Sequence, residues 1–283
     1  MSLTSACEDD VVTTRDGLGL WLRRWRPRTP KGVLVVVHGL AEHSGRYVHV
    51  GDRFAERGYA VYAPDLRAHG RSPGLRVHVD RFDEFVADVA AVRARAGSEC
   101  PGSPLFLVGH SQGGLVALRA TLLEPDDLSG TILSSPLLGV APGARPKPLL
   151  RAASRLLAVV APRSLFPTRV DTRLLSRDPA VGRAYDADPL VSHRASAGWY
   201  VSLLAAMADA HRRASSLRVP LLVMVSGDDA IVDPEAAAEW SRNAPAELVD
   251  FVRLEGFYHE MFNEPDKERP FQQMDAWLAA RLA

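Results

Sequence analysis

Six short runs of apolar residues punctuate the chain, and each ends in turn-forming residues. Val33–Val37 stops at His38-Gly39, Ala60–Ala63 at Pro64-Asp65, and Leu105–Val108 at Gly109. Thr131–Leu133 runs into Ser134-Ser135-Pro136, Leu221–Val225 into Ser226-Gly227, and Glu247–Leu254 into Glu255-Gly256. The runs are rich in Val, Ile and Leu without polar alternation, which suits strands buried on both faces. Between them lie amphipathic stretches such as Phe82–Arg95 and Leu115–Leu123, and Phe271–Leu282 closes the chain. Strand and helix repeated in this way predict an α/β fold, a mostly parallel sheet with helices on both faces. The start differs. Val11–Thr14 and Leu20–Arg26 flank Asp16-Gly17, which predicts an antiparallel hairpin leading into the sheet.

One stretch breaks the alternation. From about Leu138 to Ser216 no strand pattern stands out. It opens with a proline-rich piece, Pro136 to Pro148. Leu149, Leu150, Ala153, Leu156, Leu157 and Val160 then fall on one helical face. We read residues 138–216 as a helical cap inserted between two strands, and 1–137 with 217–283 as the core. An insertion at the C-terminal edge of a parallel sheet sits over the ligand crevice. The alternative is an ordinary crossover with extra helices.

Composition narrows the classes. The 283 residues are 47% hydrophobic, enough for a sizeable core, and hold no internal repeat. Lys plus Arg equals Asp plus Glu at 34 each, so no net field draws in nucleic acid or an anionic membrane. Cys7 and Cys100 make neither a metal spacing nor a disulfide framework. Met1 to Asp10 lacks a basic segment followed by an apolar run. No run approaches the ~20 apolar residues of a membrane span. The expectation is a soluble cytoplasmic protein with free thiols.

The sharpest chemical signal is Gly109-His110-Ser111-Gln112-Gly113-Gly114. This is G-x-S-x-G, with a buried strand running in and a helix running out, the context of a nucleophile elbow. The tight turn needs small neighbours, which Gly109, Gly113 and Gly114 supply. Ser111 is then held out at the sheet edge near a helix N-terminus, which favours developing negative charge. A serine hydroxyl needs a base, and the base needs an orienting carboxylate. In this fold the order is Ser, then Asp or Glu, then His.

Of nine histidines, His211 and His259 come late enough, with His193 inside the insertion. His259 follows the last strand at the correct sheet edge. His211 lies in the charged run His211-Arg212-Arg213 and reads as a surface residue. The carboxylate should follow Leu221–Val225, where Asp228, Asp229 and Asp233 compete. Asp233 before Pro234 reads as a helix N-cap, while Asp228 and Asp229 remain equal on physical grounds. Acyl transfer also needs two N–H groups aimed at the oxyanion. We assign them to Gln112 and Leu40. His38 reads as a hydrogen-bonded brace of the Leu40 loop, and His110 as packing beside the elbow.

At this point the motifs resemble a known family. His38-Gly39-Leu40-Ala41-Glu42-His43-Ser44-Gly45-Arg46-Tyr47 is similar to the signature loop of monoacylglycerol lipases and related lysophospholipase-like enzymes of the α/β-hydrolase fold. Asp65–Ser72 resembles their next motif, with Ala68 where glycine is usual. Gly109–Gly114 resembles their elbow, with Gln112 where methionine is common. Tyr185-Asp186-Ala187-Asp188-Pro189-Leu190 resembles a cap segment, and Asp229-Ala230-Ile231-Val232-Asp233 the acid loop. The likeness runs roughly from Val12 to Leu282.

The resemblance implies Asp229 as the acid, and Glu42, Arg46 and Tyr185 as substrate-binding residues. A salt bridge holding the loop is the competing reading for Glu42 and Arg46. It implies hydrolysis of monoacylglycerols or similar single-chain esters through an acyl-enzyme, with no metal or organic cofactor. The rivals are a carboxylesterase, lysophospholipase, thioesterase or peptidase with the same triad, a cofactor-free perhydrolase, and a ligand-binding protein without activity. Ser111 disfavours the chemistries that use a carboxylate nucleophile on this scaffold. The Leu-rich cap helix offers contact with a lipid surface, against simple packing on its own core.

Overall fold

The computed structural model describes residues 6–145, 154, 156–168 and 170–282. The strands are β1 (Glu8–Thr13), β2 (Gly19–Trp25), β3 (Gly32–Val37), β4 (Tyr59–Pro64), β5 (Leu105–His110), β6 (Gly130–Ser134), β7 (Leu165–Pro167), β8 (Arg194–Ser196), β9 (Leu221–Ser226) and β10 (Val249–Leu254). The helices used below are α1 (Val48–Glu56), α2 (Asp83–Glu99), α3 (Gln112–Leu123), α4 (Pro179–Ala187), α5 (Ala197–Arg212), α6 (Pro234–Asn243) and α7 (Glu268–Ala279). Eight strands form one sheet in the order β1-β2-β4-β3-β5-β6-β9-β10. From β4 to β10 every pairing is parallel, and the β1–β2 hairpin joins β4 antiparallel.

Alternation along each central strand splits the core in two. Val33, Val35 and Val37 pack with residues of α2, α3 and α5. Leu34 and Val36 face the other way, against α1 and α7. Successive side chains of a strand point to opposite faces, so a strand buried on both sides must be apolar throughout. Strands β3, β4, β5, β6 and β9 are buried at every position. The last run departs from that expectation. In β10 Asp250, Phe251 and Arg253 are exposed, because among the described residues β10 pairs only with β9 and forms the sheet edge.

The insertion between β6 and β9 holds α4, α5 and an antiparallel pair, β7–β8. The pair corrects the expectation of a strandless stretch. Each strand has only three residues, too few for a period to register. Helix α5 does not build a core of its own. Its Trp199, Leu203, Ala206 and Ala210 join the cluster that covers the main sheet. His211, expected at the surface, is half-buried and bonds the Leu138 carbonyl at 2.9 Å. Pro148, Leu149, Leu150 and Ala153 lie outside the described residues. Further along that stripe, Leu156 and Val160 are 65% and 68% exposed, beside Val159 at 81%. These three do not pack on a core.

The turn after β4 is pinned by charge. Arg67 Nη2 and Nε donate to Asp88 of α2 at 2.7 and 2.9 Å, and Nη1 reaches Asp16 and Glu84. Asp88 is fully buried. Next to it Asp65 accepts from Ser44 N–H and Oγ at 2.7 and 2.6 Å and from Arg71 N–H at 2.7 Å. Ala68, where the resembled family has glycine, sits at φ +62°. Its N–H and carbonyl are held by Pro73 and Val77.

Removing one partner of a buried ion pair strands the other charge, at a cost of about 3–5 kcal/mol. Arg67→Met is therefore expected to lower the melting temperature by about 10 °C, at the 2–4 °C per kcal/mol typical of large domains. Differential scanning calorimetry checks this, and a melting temperature unchanged from wild type would contradict it.

Candidate active site

Strand β5 ends at His110 and α3 begins at Gln112, leaving one residue for the turn. That residue, Ser111, takes φ +52° and ψ −118°, a sparsely populated conformation that costs of order 1–3 kcal/mol. Its surroundings hold it there. Ser111 N–H donates to the Ser134 carbonyl at 3.0 Å, and its own carbonyl accepts from Leu137 N–H at 2.9 Å. A Cβ on Gly109 would lie 2.3 Å from the Gly113 carbonyl oxygen, and one on Gly113 2.3 Å from the Val37 and His38 carbonyl oxygens. Both positions therefore exclude any side chain.

His259 follows β10 and is 4% exposed. Its Nδ1 bonds Asp229 Oδ2 at 2.7 Å. The other oxygen of Asp229 accepts from Ile231 and Val232 N–H at 2.9 and 3.0 Å. A carboxylate only accepts, so Nδ1 carries the proton and Nε2 keeps a free lone pair. Burial pushes the His259 pKa down, and the charge and hydrogen bond of Asp229, together with the charges of Glu260 and Glu42, outweigh it, leaving the imidazole above its ordinary value. Burial likewise raises Asp229, and His259 with the two N–H groups brings it below the usual carboxylate range. Of the competing aspartates, Asp233 caps α6, accepting from Glu235 N–H at 3.1 Å.

His110 packs as expected beside the elbow, its ring 4.8 Å from that of His259. Burial and the neighbouring His259 bring its pKa down to about 3, so it stays neutral at physiological pH.

The loop after β3 comes up against Ser111. A Cβ on Gly39 would stand 3.4 Å from Ser111 Cβ. His38 braces this loop, with Nδ1–H donating to the Gly39 carbonyl at 2.8 Å and Nε2 accepting from Leu66 N–H at 3.0 Å. Gly39 N–H is taken by Glu42 Oε1 at 2.6 Å. Among the described residues, the N–H groups of Leu40 and Gln112 meet no protein acceptor. Two free donors near one serine can stabilise an oxyanion.

Glu42, Arg46 and Tyr185 do come together, but mainly through one another. Glu42 Oε1 also accepts from Tyr47 OH at 2.6 Å, and Oε2 from Arg46 Nε at 2.8 Å. Arg46 Nη2 donates to both oxygens of Glu260 at 2.7 and 2.6 Å. Its guanidinium lies 4.8 Å from the Tyr185 ring centre. Burial would raise the Glu42 pKa, and Arg46, with His110, His38 and the Tyr47 hydroxyl, brings it down to about 2. Glu260 was missed by sequence reasoning, although it adjoins His259. Its signal was a charged residue on a loop otherwise bound for burial.

The insertion between β6 and β9 touches the elbow as well. Trp199 Nε1 donates to Gln112 Oε1 at 2.7 Å. Methionine, common here in the resembled family, has no comparable acceptor, which gives the departure at Gln112 a physical sense.

The sequence is matched from residue 28 to 266 by the family model described as Serine aminopeptidase, S33. It is 36% identical to a monoacylglycerol lipase of Mycolicibacterium smegmatis, over 91% of this chain and 92% of that one. It is 33% identical to phospholipase YtpA of Bacillus subtilis, over 89% of this chain and 97% of the other. The crystal structure of a monoacylglycerol lipase from Paleococcus ferrophilus superposes with a TM-score of 0.84 at 31% identity, covering 93% of this chain and 99% of that one. With sheet order, elbow and family match in agreement, the chain belongs to the serine aminopeptidase, S33 family of hydrolases and has the α/β-hydrolase fold.

Proposed function

We propose that the protein hydrolyses monoacylglycerols or similar single-chain carboxylic esters, with Ser111 as nucleophile, His259 as base and Asp229 as its orienting acid. One observation carries the reading. His259 donates Nδ1–H to a carboxylate whose other oxygen is already fixed by two backbone N–H groups. That arrangement sets the tautomer a general base needs.

In the proposed reaction, His259 Nε2 takes the Ser111 Oγ proton as Oγ bonds the ester carbonyl carbon. The carbonyl oxygen gains the negative charge, facing Leu40 and Gln112 N–H. The C–O bond to the alcohol breaks as His259 returns the proton to it. Water then repeats the sequence on the acyl-enzyme. This chemistry needs no metal or organic cofactor. Residues 138–216 act as a cap over the acyl pocket in this account. Glu42 and Arg46 shape the head-group end, with Tyr185 above them. The substrate class is supported by relatives named for monoacylglycerol lipase and phospholipase activity.

Contact with lipid belongs to the same proposal. Among the described residues no helix is long and apolar enough to cross a membrane. Exposed Leu156, Val159 and Val160 suit a transient surface contact that delivers an insoluble substrate. A reducing, cytoplasmic setting rests on Cys7 and Cys100, which stand as free thiols.

The direct test is a panel of monoacylglycerols, lysophospholipids, acyl thioesters, peptides and p-nitrophenyl esters, with Ser111→Ala beside wild type. We expect monoacylglycerols to lead. Losing the serine should cut kcat by about 10⁴-fold or more. A folded wild type inert on every ester would overturn the reading.

The pH profile follows from the His259 shift. The base works only when neutral, so kcat/KM falls as pH drops through a pKa raised above the ordinary ~6.5. In Asp229→Asn burial is opposed only by the smaller pull of Glu260 and Glu42, so the residual activity should show an acid limb moved to lower pH, with kcat down about 10³–10⁴-fold. An acid limb unmoved by the substitution would contradict Asp229 as the partner.

For the surface contact, replacing Leu156, Val159 and Val160 with serine should reduce sedimentation with phosphatidylcholine vesicles and leave turnover of a short soluble ester unchanged. Equal sedimentation of both proteins would remove that part of the proposal.

A further inference from the structure

The loop beside Ser111 carries one more polar side chain, His43, which the proposed reaction leaves without a role. His43 is buried. Its Nδ1 accepts from Gly45 N–H at 3.1 Å, so the proton sits on Nε2. Nε2–H points into the cap and donates to Asp188 Oδ2 at 2.8 Å, across 145 residues of sequence. Asp188 stands at the end of α4, and its other oxygen accepts from Leu190 N–H at 2.8 Å. The two bonds use different oxygens of Asp188, and an amide would set an NH2 donor in place of one of them. Four residues after Asp188, Ser192 N–H donates to the Ala41 carbonyl at 2.8 Å.

Ala41 is the residue that needs such a grip. It holds φ +64°, a left-handed conformation that any residue other than glycine leaves readily for the extended region. It sits between Leu40, the proposed oxyanion donor, and Glu42, which binds Gly39 N–H. The cap thus holds the loop at Ala41 and again two residues later at His43.

We propose that His43 and Asp188 form a latch by which the cap sets the conformation of the oxyanion loop. They are positioning residues that act through Ala41 on the N–H of Leu40, and the proposal rests on the hydrolase reading above. With the latch open, Ala41 relaxes and turns the backbone that carries Leu40. The oxyanion exists only in the transition state, so the loss falls on the chemical step and not on substrate binding.

The test uses the full chain and four variants. His43→Asn keeps a short acceptor for Gly45 N–H but does not reach Asp188. His43→Gln keeps a donor near the place of Nε2. Asp188→Ala removes the acceptor from the cap side, and the fourth variant combines His43→Asn with Asp188→Ala. We expect His43→Asn and Asp188→Ala each to lower kcat about tenfold, with KM held within about twofold. Inhibition by an alkyl trifluoromethyl ketone, whose adduct carries an oxyanion, should weaken by the same factor. His43→Gln should restore most of the rate, and the double variant should be no slower than the slower single one.

A purely structural role would lower the melting temperature and leave the ketone affinity alone, which would overturn the latch. Wild-type kcat in His43→Asn, or losses that multiply in the double variant, would overturn it too. If wild type is active on esters, those results defeat the latch alone. If folded wild type is inert on all of them, the hydrolase reading fails and the latch with it.

Discussion

Only a residue without a side chain fits where α3 meets the end of β3. A Cβ on Gly113 would lie 2.3 Å from the carbonyl oxygens of Val37 and His38. This approach brings the start of the β3 loop against the first turn of α3. It puts the backbone of Gly39 beside Ser111. Ser111 at φ +52° completes the turn. The strain is held by hydrogen bonds to Ser134 and Leu137, so the elbow depends on β6 as much as on its own glycines.

Around this turn the chain buries charge in closed sets. Arg46 lies between Glu42 and Glu260, so one cation joins the β3 loop to the residue after His259. Asp65 ties Ser44 to the turn after β4. Such groups cost much to desolvate, and their value lies in fixing a single arrangement when every partner is present. Here they fix loops, which have no ladder of their own. The insertion shares in this work. Its α5 helps cover the main sheet, Trp199 bonds Gln112, and the carbonyl of Leu175 accepts from Glu260 N–H at 2.7 Å.

What could be read from the sequence follows physical range. The central strands were legible because burial on both faces forces unbroken apolar runs, and the elbow because Gly109, Ser111 and Gly113 are adjacent in sequence. His259 and the cap role of Asp233 followed from position after a strand and before a proline. The exposed face of β10 was not legible, since nothing local says that a strand lies at an edge. Strands β7 and β8 are too short to carry a period. The bonds from His43 to Asp188 and from Gln112 to Trp199 span 145 and 87 residues, and no local pattern encodes contacts of that length. Asp228 and Asp229 were inseparable on physical grounds, and the bond to His259 Nδ1 distinguishes them.

Every step of the proposed reaction starts from Ser111 as the nucleophile. The most direct measurement is the intact mass of the protein after reaction with an alkyl fluorophosphonate, followed by peptide mapping. We expect a single covalent adduct on the peptide that contains Ser111, with none formed after Ser111→Ala substitution. An adduct on another residue, or an unmodified Ser111 in folded protein at saturating reagent, would contradict it.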